Sequence, residues 1–353
     1  MTTAIPNVQR AWVNVSRGAP NKALVFKEDW PVTKNLGPGE VLVQVQAAAL
    51  NPVGYKLMKV LPNFIAGRPR VPEFDLSGVI VDANNTRFSN GDQVYGWVPS
   101  NLLRKTNQGS LAQYAKVPAD ALVIRPPSVT PVQASGFTLA GLTAYDAIIK
   151  KANIQSGQTI FIHGGSTSVG AFAIQLAKIR GARVTACASG KNENFVRGIG
   201  ADEFVDYTKV SLPQYLAENN STTKFDYIFE AVGINDPSLY TCSDSYLSPT
   251  GAFLSVGPQP KDMSLSEIYS FVKSVSAMFT PKLIGGAKAR FINVMVINDI
   301  KDAEQFQRYV AEGSLKPIVD SVFDFDQALK AYDRLISGRA TGKVVVKVDP
   351  SIE

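Results

Sequence analysis

The chain has 353 residues, 36 Lys and Arg against 30 Asp and Glu for a net charge of +6, one histidine and two cysteines. At roughly 100–200 residues per domain this length predicts about two domains, each able to bury a core without disulfides. Cys187 and Cys242 are too few for a disulfide framework or a four-thiolate zinc site, and His163 alone cannot furnish a His-rich metal centre, so no metal site is expected.

The same scarcity leaves a Ser-His-Asp or Cys-His hydrolase to be built on His163 alone. The basic residues are scattered, with no run of five or more, which argues against a nucleic-acid partner. No stretch of about 18 uncharged apolar residues occurs, so no transmembrane segment is expected. The start MTTAIPNVQR lacks a charged region followed by an apolar one, and the chain reads as soluble and cytoplasmic.

In chain order, residues 10–135 alternate short apolar runs with Gly, Pro, Asn and Asp: Glu40–Ala49, Gly78–Asp82 and Gln93–Val98. Period-two runs of this kind predict antiparallel strands in a barrel or sandwich. A helical stretch follows at Val132–Ala152. Short apolar runs at Thr159–His163, Arg183–Ala188, Glu203–Asp206, Tyr227–Ala231 and Ala252–Val256 are then separated by helix-length segments, which predicts a parallel, doubly wound sheet. Residues 262–290 break that rhythm. They read as a packing helix plus loop at a domain or subunit contact, with an interfacial membrane helix as the alternative. Phe291–Ile297 reads as a last strand of the sheet, Asp302–Ala311 as a helix, and Lys343–Val348 as a strand returned to the first domain.

The strongest local signal is TIFIHGGSTSVGAFAIQLAK, residues 159–178: an apolar strand, a Gly/Ser turn, then a helix. The N–H groups and positive dipole end of such a helix stabilise a phosphate. Against G-x-G-x-x-G the turn offers Gly165, then Thr167 in place of the second glycine, then Gly170, with Ser166, Ser168 and Val169 between them. In this strand–turn–helix–strand context it predicts dinucleotide binding; a bare structural turn is the alternative. The second strand ends Ala188-Ser189-Gly190-Lys191-Asn192, without the acid that NAD sites place there. Ser189 and Lys191 suit a 2′-phosphate, so NADPH is the expected cofactor; a solvated turn is the alternative reading. His163, at the strand end, is expected to be a neutral imidazole beside the turn.

With the phrases VLVQVQAAALNPVGYK (41–56), VPEFDLSGVI (71–80), GDQVYG (91–96), GSLAQYAKVPAD (109–120), LAGLTAYDAI (139–148), GADEFVDY (200–207), FDYIFEAVG (225–233) and GRATGKVVVKV (338–348), the chain resembles the medium-chain dehydrogenase/reductase superfamily. The likeness covers nearly the whole chain and lies with the zinc-free quinone oxidoreductase (zeta-crystallin-like) and enone/enoyl reductase branch. Fungal members, including trans-acting enoyl reductases of polyketide pathways, look most similar.

The resemblance implies an α/β fold with a GroES-like β-domain formed by both chain ends (1–135 with 310–353). A Rossmann NADP(H) domain would occupy 136–309, with the active site in the cleft. It implies that Asn51 lies near the nicotinamide and Thr143 meets its carboxamide. Ser189, Lys191, Asn192 and Tyr207 would surround the 2′-phosphate. Val232, Gly233, Val256 and Gly257 would approach the nicotinamide end, and Lys343 would lie near the cofactor. Asn51, Tyr55 and Lys56 are the candidate catalytic residues; an exposed loop lysine is the plain alternative for Lys56. Two departures stand out. The family's NPxD reads Asn51-Pro52-Val53-Gly54, and its VPG reads Val71-Pro72-Glu73.

The expected reaction is hydride transfer from NADPH to a quinone or an α,β-unsaturated carbonyl, with Lys56, Asn51 or water donating to the developing oxyanion. The alternatives are an enoyl reductase acting on a partner-bound acyl chain and an NADPH-binding regulatory protein. A homodimer through the Phe291–Ile297 edge is also expected from the likeness.

Overall fold

A computed structural model describes residues 4–99, 106–220, 223–260 and 264–352. The chain divides into two compact units, Met1–Leu142 with Ile297–Glu353, and Thr143–Val296. Both crossings differ from the sequence expectation of 135/136 and 309/310. The first falls within the Thr138–Tyr145 helix. The second falls earlier because residues after Ile297 pack on the first unit: Trp97 Nε1 donates to Asn298 Oδ1 at 3.0 Å, and Phe306 meets Phe137 edge-on.

The first unit begins with strands β1 (Val8–Asn14) and β2 (Leu24–Pro31), an antiparallel pair. β3 (Glu40–Ala49), β4 (Asp75–Asp82), β5 (Gln93–Trp97), β6 (Tyr114–Pro118) and β7 (Leu122–Ile124) follow, all antiparallel to their neighbours. The small residues Ala47, Ala48 and Ala49 end β3 in full burial. The predicted Val132–Ala152 helix is three pieces: Pro131–Ser135, Thr138–Tyr145 and a π-turn at Asp146–Lys151. Thr130 starts the first with a capping box, exchanging bonds with Gln133. Gly136 ends it where the stem of Lys343 passes, 3.2 Å from where a β-carbon would stand.

The second unit is a six-stranded, all-parallel sheet of β8 (Thr159–His163), β9 (Arg183–Ala188), β10 (Glu203–Asp206), β11 (Phe225–Glu230), β12 (Leu247–Ser255) and β13 (Arg290–Asn293). Their spatial order is β10-β9-β8-β11-β12-β13, so the winding reverses between β8 and β11, the switch point where such sheets bind ligands. The Ser168–Ile179 helix buries every residue from Gly170 to Ala177. Phe161, Cys187, Ile228 and Phe253 belong to one apolar core beneath the sheet.

Of the 262–290 segment, residues 262 and 263 lie outside the described residues, and Leu265–Phe279 is a helix. Its apolar side chains Leu265, Tyr269, Val272 and Phe279 are exposed, as are Leu283 and Ile284 beyond it. No helix among the described residues is long and apolar enough to cross a membrane. In the returning part of the chain, β14 (Val319–Asp324) lies parallel to β15 (Lys343–Lys347), which pairs antiparallel with β3. Both chain ends thus build one sheet, and the α/β fold class read from the sequence is the one the structure has.

Candidate active site

In the parallel-sheet unit, the turn after β8 is shaped by backbone. Gly164 adopts φ +86°, a left-handed conformation, and a β-carbon on Gly170 would collide with the Gly164 carbonyl. The Gly164 and Gly165 N–H groups both donate to Cys187 O on β9, at 3.2 and 2.8 Å. Thr167, which interrupts the glycine pattern, is the N-cap of the following helix. Its Oγ1 accepts from Gly170 N at 3.0 Å and donates to Gly164 O at 2.8 Å. The hydroxyl therefore serves the loop whose glycine pattern it interrupts. The N–H groups of Ser168 and Val169, in the first helical turn, have no acceptor within the helix and suit an anionic group. This open cradle of glycine and unspent N–H groups fits a dinucleotide pyrophosphate.

The tip of β9 carries Ser189, Gly190, Lys191 and Asn192, with Asn192 Nδ2 donating to Ser189 Oγ at 3.3 Å. Lys191 is exposed, and so is Tyr207, just past β10. A group not assigned from sequence stands here too. Asp206 ends β10 against Gly190, where a β-carbon would collide with its carboxylate. Bonds from the Thr208 hydroxyl, then from the Thr208 and Gly190 N–H groups, hold its carboxyl below the usual range, and Lys209 lies 3.7 Å away.

Glu230, at the end of β11, is the second group the sequence reading missed. Its Oε1 accepts from the N–H groups of Val232 and Gly233, each at 2.8 Å, and its Oε2 accepts from Ser255 Oγ at 2.9 Å. Ser255 Oγ accepts in turn from Gly257 N. One buried carboxylate thus fixes the backbone after β11 and after β12, where Val232, Gly233, Val256 and Gly257 stand. A charged residue closing the otherwise apolar run YIFE, residues 227–230, was the available signal. His163 Nδ1 lies 3.4 Å from Glu230 Oε1 without an aligned hydrogen bond. Cys187 is a buried core thiol, pushed up to about 12 by desolvation. Thr143 lies in this unit, on the Thr138–Tyr145 helix.

In the other unit, the Pro52–Val60 helix carries Tyr55 and Lys56, both half-buried. Burial raises the Tyr55 phenol above its ordinary range and keeps it a proton donor. Asn51 and Lys343 are brought together in this unit. Lys343 is buried, and its Nζ donates to Asn51 Oδ1 at 2.7 Å and Asp75 Oδ2 at 2.9 Å. Asn51 Nδ2 donates to Ala49 O and Asp75 Oδ2. A buried ammonium must be paired, so two of the three Lys343 N–H bonds and both Asn51 Nδ2 hydrogens are spent inside this cluster, which fixes the two side chains against each other. Glu73 sits beside it at φ +67°, accepting from Asn51 N at 3.0 Å and from the Tyr332 hydroxyl at 2.8 Å. Asp75 and Tyr332 were not singled out from sequence. Among the described residues, no group of three or more His, Cys, Asp or Glu is arranged to hold a metal.

Comparison with known proteins gives two family matches: alcohol dehydrogenase GroES-like domain over residues 37–127, and zinc-binding dehydrogenase over residues 199–346. The trans-enoyl reductase pgmF of Aspergillus terreus is 32% identical, with both chains covered in full. A chloroplastic quinone-oxidoreductase homolog of Spinacia oleracea is 31% identical, covering 87% of this chain and 89% of that one. The quinone oxidoreductase from Coxiella burnetii superposes with a TM-score of 0.77 at 23% identity, over 97% of this chain and 99% of that one.

Proposed function

Because the chain belongs to the medium-chain dehydrogenase/reductase superfamily of nicotinamide-dependent oxidoreductases, we propose that it reduces quinones or α,β-unsaturated carbonyls with NADPH and without zinc. The observation that carries the reading is the cradle at Gly164–Gly170, with Ser189 and Lys191 at the tip of the next strand. When bound, the reduced nicotinamide supplies the hydride.

The residues of the chain do the rest. The Ser168 and Val169 N–H groups hold the pyrophosphate. Ser189, Lys191 and Tyr207 receive the 2′-phosphate, and Glu230 keeps the Val232–Gly233 and Val256–Gly257 backbone in one position. Tyr55 or Lys56 donates a hydrogen bond to the substrate oxygen as negative charge develops there. Conjugated acceptors spread that charge, so a single donor suffices where an isolated ketone needs stronger polarisation.

A second cofactor reading has a specific support. The Asp206 carboxylate beside Gly190 favours a ribose hydroxyl over a phosphate, hence NADH. Its three hydrogen bonds and the neighbouring Lys209 blunt that charge, and Lys191 tips the balance to NADPH. Among substrates, an acyl chain carried by a partner synthase is the alternative supported by the fungal relatives. A regulatory NADPH binder is the alternative without chemistry.

A homodimer across the β13 edge is proposed from the exposed apolar side chains of Leu265–Ile284, with sedimentation velocity as its test.

The test is oxidation of NADPH and NADH by purified, metal-free protein with benzoquinones, naphthoquinones, straight-chain enones and simple alcohols. Turnover of the conjugated acceptors with NADPH preferred supports the proposal. Robust alcohol oxidation, or tight NADPH binding with no acceptor reduced, contradicts it.

A further inference from the structure

Gly54 and Glu73 lie on separate segments and share one volume. A β-carbon on Gly54 would collide with Glu73 Oε1 and stand 2.7 Å from its Cδ and 2.8 Å from Oε2. No side chain at 54 can coexist with that carboxylate. Glu73 reaches the spot from a left-handed backbone conformation, φ +67°, which glycine adopts freely and a residue with a β-carbon adopts at a cost. The carboxylate is 1% exposed and clamps two donors from different elements: Asn51 N, at the head of the Pro52–Val60 helix, and the Tyr332 hydroxyl, from the Ala328–Ile336 helix.

We infer that Glu73 is a positioning residue for Tyr55 and Lys56: its carboxylate replaces a side chain missing at Gly54 and sets the first turn of the helix that carries them. The inference rests on the reading that Tyr55 and Lys56 face the substrate.

The ionised carboxylate accepts from Asn51 N and Tyr332 together; the neutral acid has one good acceptor left. The groups facing it are the Tyr332 phenol, Asp75 on β4 and Lys343 on β15. Burial pushes Glu73 up to about 7 against the pull of Tyr332, the Asn51 N–H and Lys343, and Asp75 adds to the rise. The folded chain therefore holds a proton that the unfolded chain releases above about 4.5, so this stability is present below about 4.5 and lost as pH rises through about 7. Positioning runs the opposite way, improving as the carboxylate ionises.

Glu73→Gln mimics the neutral acid at every pH. For the wild type, kcat/KM should rise about tenfold from pH ~5.5 to ~8.5, whereas Glu73→Gln stays at the acid level throughout with KM for NADPH unchanged. Its melting temperature relative to wild type should climb over the same range. Gly54→Asp alone crowds two carboxylates into one volume, and Glu73→Gly alone leaves Asn51 N and Tyr332 without an acceptor. The double exchange Gly54→Asp with Glu73→Gly should recover most of the activity and melting temperature lost by each.

An unchanged pH profile in Glu73→Gln, or a double exchange no better than the worse single variant, overturns the inference. If the wild type reduces no acceptor, the reduction reading fails by itself, and the melting-temperature arm decides where the carboxylate sits.

Discussion

The phosphate loop and the Asn51–Lys343 cluster are built in opposite ways. From Gly164 to Gly170 the loop is held by backbone groups and one threonine hydroxyl, through contacts within the loop and two bonds to Cys187 O on the next strand. The cluster is held chiefly by side chains, and its long-range partners are 22 to 292 positions apart: Asn51 N with Glu73, Tyr332 with Glu73, Lys343 with Asp75 and with Asn51. A loop that must approach an anion gains from offering bare N–H groups, which need no side-chain ordering. A helix start that must present Tyr55 and Lys56 in one pose gains from charges locked in a dry interior, where removing any partner is costly.

If that contrast holds, substitutions in the cluster should cost more than substitutions in the loop. Lys343→Met strips the Asp75 carboxylate of its cation at a site with almost no solvent, and should destabilise the protein by about 3–5 kcal/mol in urea unfolding. Tyr332→Phe removes one of two donors to the buried Glu73 carboxylate and should cost about 1–3 kcal/mol by the same measurement. Lys191→Glu leaves stability nearly unchanged; it should lower the NADPH-to-NADH ratio of kcat/KM by at least about tenfold, roughly 1.4 kcal/mol. An unchanged ratio would favour the Asp206 reading. Thr167→Ala removes only the helix cap, about 1 kcal/mol, and Thr167→Ser should keep it. A Thr167→Ala loss exceeding that of Lys343→Met would break the comparison.

The same contrast explains what was legible beforehand. The strands Glu40–Ala49, Thr159–His163, Arg183–Ala188 and Glu203–Asp206 lie where apolar periodicity put them, because a local pattern decides a local backbone. The phosphate loop was readable for the same reason, although the cap role of Thr167 was not. The partners of Lys343 were not legible because nothing near it in sequence says that Asp75 and Asn51 await its ammonium. Asp206 and Glu230 were visible as residues and not as functions, since their partners come from neighbouring strands and turns. The substitution pair at Gly54 and Glu73 was noted as two departures; only the fold shows that they occupy one place.

The central claim is conjugate reduction with hydride taken from NADPH. It is tested most directly by reducing a straight-chain enone with NADPH carrying deuterium at both nicotinamide C4 positions and locating the label by mass spectrometry. The account predicts one deuterium on the β-carbon of a saturated ketone. Deuterium on the carbonyl carbon of an allylic alcohol, or none in the product, would contradict it.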